Sequence, residues 1–227
     1  MAITFRRSAV TGLVLAAVTA VGCNMSSVAY FLFGPEDRQP PFCHELDAPK
    51  KEIKLLILAN VGTEMRPEFL RADRELAERL VQHLRKVYKD DKAKITIVSP
   101  AQVDNYKDQN PDWQTKGLRD IGDHFHADYV TNIDMDKLDL YEPRSLKELL
   151  RGQAQVAVTV FDMARPPHEG RVFEKEFTFL FPQMAPKSVL ENPNIAEFRA
   201  AFLTYMVKEL SRCFGPFSND DKYACNE

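Results

Sequence analysis

Residues 52–60 read Glu-Ile-Lys-Leu-Leu-Ile-Leu-Ala-Asn, and the unbroken stretch Leu55 to Leu58 offers no polar position to turn toward water. A strand of that kind is covered on both of its faces, so the sheet that contains it must carry helices above and below. The next segments of the chain meet that demand. Pro67 stands where a first helical position would be, and Phe69, Leu76, Leu80, Leu84 and Val87 recur at helical spacing among arginines and glutamates, which predicts an amphipathic helix over 67–88. Lys94 to Val98 is a short β-branched strand, and Ser99-Pro100-Ala101-Gln102 has the residues of a capped helix start. Trp113, Leu118, Ile121 and Phe125 form the stripe of a further helix over 113–125, which leads into a long strand from Asp128 toward Leu140 with polar residues on one face.

The second half changes period. Ala154, Val156, Val158 and Val160 alternate with Gln153, Gln155 and Thr159, and after Gly170 the residues Phe173, Phe177, Phe179 and Phe181 share one face, so these two strands form a hairpin with one wet side. Residues 145–151 fit either a short helix or an extended edge. Asn194 and Glu197 cap a last helix with the stripe Phe198, Phe202, Tyr205, Met206, Leu210 and Cys213, stopped by Gly215-Pro216. Right-handed crossovers make the first three strands parallel, and the hairpin adds two antiparallel ones. The expected fold is a single α/β sandwich with a mixed five-stranded sheet in the order β-α-β-α-β-β-β-α, spanning residues 52–214, followed by a flexible tail at 215–227. The 227 residues and 26.0 kDa suit one such domain, and a net charge of −3 leaves no surplus for general nucleic-acid binding.

The amino terminus has another character. Arg6 and Arg7 precede an uncharged run from Ala9 to Val21, too short for a bilayer span of about 20 residues, which is the pattern of a secretory signal peptide over residues 1–22. Ala20-Val21-Gly22-Cys23 resembles a bacterial lipobox, in which the cysteine is diacylated before cleavage. That resemblance implies a lipoprotein tethered to a lipid membrane through acylated Cys23, facing the periplasm or the cell exterior, with residues 23–51 as a linker in which Phe31, Phe33 and Phe42 can dock on the domain. Asn24 stands where many inner-membrane lipoproteins carry Asp, which favours an outer membrane in a Gram-negative envelope. Losing residues 1–22 removes Arg6 and Arg7 and moves the net charge from −3 to −5.

The order of elements, with Ala127-Asp128-Tyr129-Val130 after a helix and Gln153 to Asp162 before the turn at Gly170, resembles the amino-terminal domain of TolB and related envelope-assembly lipoproteins. His126 stands where that family usually has glycine. The resemblance implies a binding or assembly module without catalytic residues or cofactor, and another envelope protein as partner.

Candidate chemistry is sparse. His124-x-His126-x-Asp128 has the spelling of metallo-β-lactamase-like hydrolases, making a metal-dependent hydrolase the alternative function, but a helix end followed by a strand is the wrong context and further ligands are few. Asp134, Asp136 and Asp139 lack the glycine of a calcium loop and read as the wet face of a strand. Asn60-Val61-Gly62-Thr63 lies where α/β sheets bind ligands, with too few glycines to cradle phosphate. Besides Cys23, Cys43, Cys213 and Cys225 form an odd set in an oxidising compartment, with one disulfide expected and three pairings open.

Overall fold

The computed structural model describes residues 52–62, 67–89, 94–191 and 194–214. The expected signal peptide, Cys23, the expected linker with Cys43, the expected tail and Cys225 lie outside them.

The sheet is mixed, and its neighbouring strands run β2-β1-β3-β4-β5, with a short sixth strand on β4. β1 (Ile53–Val61) is parallel to β2 (Ile95–Ile97) on one side and to β3 (Tyr129–Tyr141) on the other. β4 (Leu149–Asp162) is antiparallel to β3, and β5 (Arg171–Phe181) antiparallel to β4. β6 (Lys187–Ser188) pairs with Leu149 and Leu150 at the start of β4. Residues 145–151 form a turn followed by the extended start of β4, which settles the choice left open by their composition.

Crossover handedness decides which face each helix covers. The step from β1 to β2 moves one way across the sheet and the step from β2 to β3 moves back, so two right-handed crossovers must lie on opposite faces. The first, α1 (Ala72–Lys89), packs on the core face with Leu76, Leu80 and Leu84 fully buried. The second, α2 (Pro100–Gln109) and α3 (Leu118–Phe125), covers Leu56, Leu58 and Val130 on the second face. The last helix, α4 (Ile195–Ser211), returns to the core face and sets Phe198, Phe202 and Tyr205 against Phe179 and Phe181 of β5. Each fully buried side chain of this size stabilises the fold by about 1.5–3 kcal/mol.

Three local expectations need correction. Residues 67–69 form a 3-10 turn, and α1 begins at Ala72, because Arg71 adopts a left-handed φ of 68° that breaks the helix. The stretch 113–125 splits into a 3-10 turn at Trp113–Thr115 and α3, with Gly117 in extended backbone between them. Ser99 takes the cap position of α2 without a side-chain hydrogen bond, so Pro100 alone carries that start. At α4 the expected cap forms: Asn194 Oδ1 accepts from the amides of Ala196 and Glu197, and its Nδ2 donates to the Glu197 carboxylate.

Tyr88, near the end of α1, donates to the carbonyl of Phe214 at 2.9 Å, so the described domain begins and ends at one pole of the sheet, where β1 starts and α4 stops. The exposed large apolar residues Leu70, Leu146, Met184 and Leu190 belong to connections at the opposite pole, where Ile195, also exposed, begins α4. Among the described residues no helix is long and apolar enough to cross a membrane.

Candidate functional site

On the second face α2 and α3 reach only as far as Phe161 and Met163, and among the described residues no element covers the remainder of β3, β4 and β5. Residues directly opposite one another in paired strands share a face. Asp134 lies opposite Ala157, which lies opposite Glu176; Asp136, Gln155 and Thr178 form the next row, and Asn132, Thr159 and Glu174 the row before. The acidic third strand and the wet side of the hairpin, separate features in the sequence, are therefore one continuous surface. A shallow depression of about 140 Å³ between Asp136, Gln155 and Glu176 lies within it. Arg171 pairs with Glu174 at 2.8 Å, leaving Asp134, Asp136 and Glu176 to set its sign.

β1 contributes to the same surface. Asn60 is in register with Asp134, and its Nδ2 donates to one carboxylate oxygen while Asn132 Nδ2 donates to the other at 2.7 Å. Gly62 leaves room for Asp136: a Cβ there would lie 3.1 Å from Asp136 Oδ1. Both residues fall in the segment that reads in sequence only as the loop connecting the first strand to the next helix, and their two-residue spacing from Leu58 was the signal that they share its face.

Burial lifts Asp134 above the ordinary carboxylate value of 3.8, the Asn60 hydrogen bond opposes that, and the Asp136 charge adds to it. A carboxyl raised on folding favours the native state most below its ordinary value, and this contribution is lost as pH rises through the raised one. We expect a carboxyl-detected NMR titration to place Asp134 above 3.8 and Asp136→Asn to bring it down, because the neighbouring charge that helps to raise it is removed.

A second polar cluster sits beyond the end of β2. Because β2 pairs only with Ile53 to Leu55, the upper edge of β1 lacks a neighbour on that side. Lys107 of α2 takes the place: its Nζ donates to the Ala59 carbonyl at 2.6 Å, pairs with Asp73 at 3.3 Å and lies 4.6 Å from the centre of the Trp113 ring. The residue is 7% exposed, and burial holds its ammonium below the usual 10.5 against the pull of Asp73. Arg74 joins Asp108 and Asp104 beside it; its hydrogen bond pulls the Asp108 carboxyl down, whereas burial pushes Asp104 up. The adjoining cleft holds about 300 Å³. Its charged groups are matched to one another, which makes the cluster a latch between β1, α1 and α2. Helical periodicity carries no hint of the part played by Lys107.

The residues of the His-x-His-x-Asp spelling serve different ends. His124 packs its ring against Tyr106 and Phe125 at 4.7 and 4.9 Å. His126 caps α3 with a left-handed φ of 51°, the conformation for which glycine is the usual residue. The Asp128 carboxylate accepts from the Lys54 amide at 2.9 Å, tying the start of β3 to β1. Asp139 accepts from the Tyr141 amide at 3.1 Å beyond a bulge in β3. Among the described residues no three His, Cys, Asp or Glu side chains are grouped to hold a metal. Cys213 is buried in the core at the pole where the chain enters and leaves, and burial pushes its thiol up to about 11.

No family model matches the chain, and no curated protein matches it. Solved structures give distant likenesses. The lipoprotein GNA1162 from Neisseria meningitidis is 11% identical with a TM-score of 0.42, covering 70% of this chain and 98% of that one. Protein XCC0632 from Xanthomonas campestris is 14% identical with a TM-score of 0.41, covering 78% and 90%. The LpoB C-terminal domain from Salmonella enterica is 15% identical with a TM-score of 0.36, covering 63% and 95%. At these TM-scores the likenesses carry no argument about family or function.

Proposed function

We propose that this protein is a non-catalytic envelope lipoprotein, anchored through acylated Cys23 and tethered by residues 23–51, that docks another envelope protein on the open acidic face of β3, β4 and β5. The observation that carries the reading is the convergence of Asp134, Asp136, Gln155 and Glu176 from three strands on a face left uncovered by the other described elements. Such a face stays solvated alone and matches a partner with lysines or arginines, since complementary charge speeds encounter and fixes register. The lipobox-like end Ala20-Val21-Gly22-Cys23 supports the anchor, and the resemblance of the element order to envelope-assembly lipoproteins supports a protein partner.

Crosslinking and pull-down from membranes with the acylated protein tests both halves. We expect Asp136→Lys combined with Glu176→Lys to reduce capture of the partner at least tenfold, the loss produced by about 1.4 kcal/mol of binding energy. Both side chains are exposed, so the melting temperature should stay within a few degrees of the parent. Cys23→Ala should move the protein from the detergent to the aqueous phase. Capture that ignores the charge reversal refutes the docking face, and exported protein that is freely soluble with another first residue refutes the anchor.

A further inference from the structure

The pole opposite the chain ends carries an unusual combination. Leu146, in the turn between β3 and β4, is 90% exposed; Met184, after β5, is 87% exposed; Leu190, after β6, is 90% exposed. These connections form one structure. β6 pairs with Leu149 and Leu150, the Val189 amide donates to the Glu148 carbonyl at 2.8 Å, and Arg151 reaches both Glu142 and the Gln183 carbonyl. The turn itself presents Leu146 at a left-handed φ of 51°, between Arg144 at 66° and Lys147 at 67°. Side chains other than glycine and asparagine rarely occupy that region, so three such residues in one exposed turn point to a role for what they display.

Charges of both signs surround the apolar side chains, with Arg144, Lys147, Arg151 and Lys187 set against Glu142, Glu148 and Glu191. Arg144 and Lys147 flank Leu146 in the turn, and Lys187 lies three residues beyond Met184 in β6. Among the described residues neither Arg144 nor Lys187 makes an ion pair, while Lys147 lies 5.3 Å from the centre of the Tyr141 ring. Separate long, flexible apolar side chains with interleaved Lys and Arg suit a bilayer interface: the apolar tips enter the acyl boundary and the cations meet lipid phosphates.

We infer that this pole, formed by Leu146, Met184 and Leu190 with Arg144, Lys147 and Lys187, is a peripheral binding site for an anionic lipid surface. It is distinct from the acidic docking face and independent of acylation at Cys23. Acidic face and apolar pole occupy different parts of the domain, so one molecule can hold a protein and a lipid surface at once.

The test uses residues 23–227 with Cys23→Ala, which lacks both the acyl group and the apolar run of residues 9–21; among the described residues the buried core begins at Ile53. Sedimentation with vesicles of phosphatidylglycerol and phosphatidylcholine should show binding that weakens with added salt and falls at least tenfold on vesicles of phosphatidylcholine alone. Combined Leu146→Ser, Met184→Ser and Leu190→Ser should reduce binding at least tenfold with an unchanged melting temperature. Combined Arg144→Gln, Lys147→Gln and Lys187→Gln should remove the preference for the anionic lipid. Asp136→Lys with Glu176→Lys should leave vesicle binding intact, so this site and the docking face fail separately. No binding of the parent chain, equal binding by the serine variant, or envelope crosslinks from this pole to a protein in the absence of vesicle binding would each overturn the inference.

Discussion

Gly152→Val should destabilise the domain by about 3 kcal/mol, at the upper end of what overpacking a core costs. Gly152 is buried in β4 beneath α4, and a Cβ at that position would lie 2.5 to 2.8 Å from three ring carbons of Phe202. The ring cannot retreat, because it lies against Phe69 at 6.4 Å on one side and Phe181 at 6.4 Å on another. The added side chain must therefore push α4 off the sheet, together with the Phe198 and Tyr205 contacts to Phe181. For a domain of this size that is a fall of roughly 6–12 °C in melting temperature. Gly117→Ala is the control: its Cβ meets only the Asp120 carboxylate at 3.5 Å, and the change should cost no more than about 1 kcal/mol, that of an alanine at the cap position of α3. Phe202→Leu in the Gly152→Val background should recover part of the loss, and a double-mutant cycle with no coupling would show that the close approach is not the cause.

Lys107→Ala should cost about 3 kcal/mol by urea denaturation, because it removes one partner from a buried pair and leaves the Ala59 carbonyl without its donor. Lys107→Met keeps the aliphatic stem over Trp113 and should recover about half of that. The pH dependence has a definite sign. A lysine held below 10.5 on folding binds its proton less tightly in the native state, so its contribution to stability is present above 10.5 and is lost as pH falls through the lowered value. Between those values the parent should gain stability with rising pH relative to Lys107→Met. A parallel course for the two proteins would mean that the ammonium is solvated and the latch is not closed.

Neither Gly152 nor Lys107 stands out in the sequence, whereas other features of the fold are legible there. Periodicity alone identified the doubly covered strand at Leu55 to Leu58, the amphipathic stripes of α1 and α4 and the alternation of β4, because each reports one element's exposure to water. Handedness then made the first three strands parallel without coordinates. Asn194 and Glu197 announced their cap because a cap is made within four residues.

What stayed hidden depends on residues far apart in the chain. Lys107 reads as one more polar position on α2 until β2 proves too short to cover Ala59, 48 residues away. His124, His126 and Asp128 read as a ligand set because spelling ignores direction, and the fold assigns them a ring contact, a helix cap and an amide acceptor. Asp134 on one strand and Glu176 on another become a single surface only when β4 aligns both with Ala157. Local pattern is fixed by how a segment meets water, whereas a site is fixed by register between segments, and register is a property of the assembled sheet.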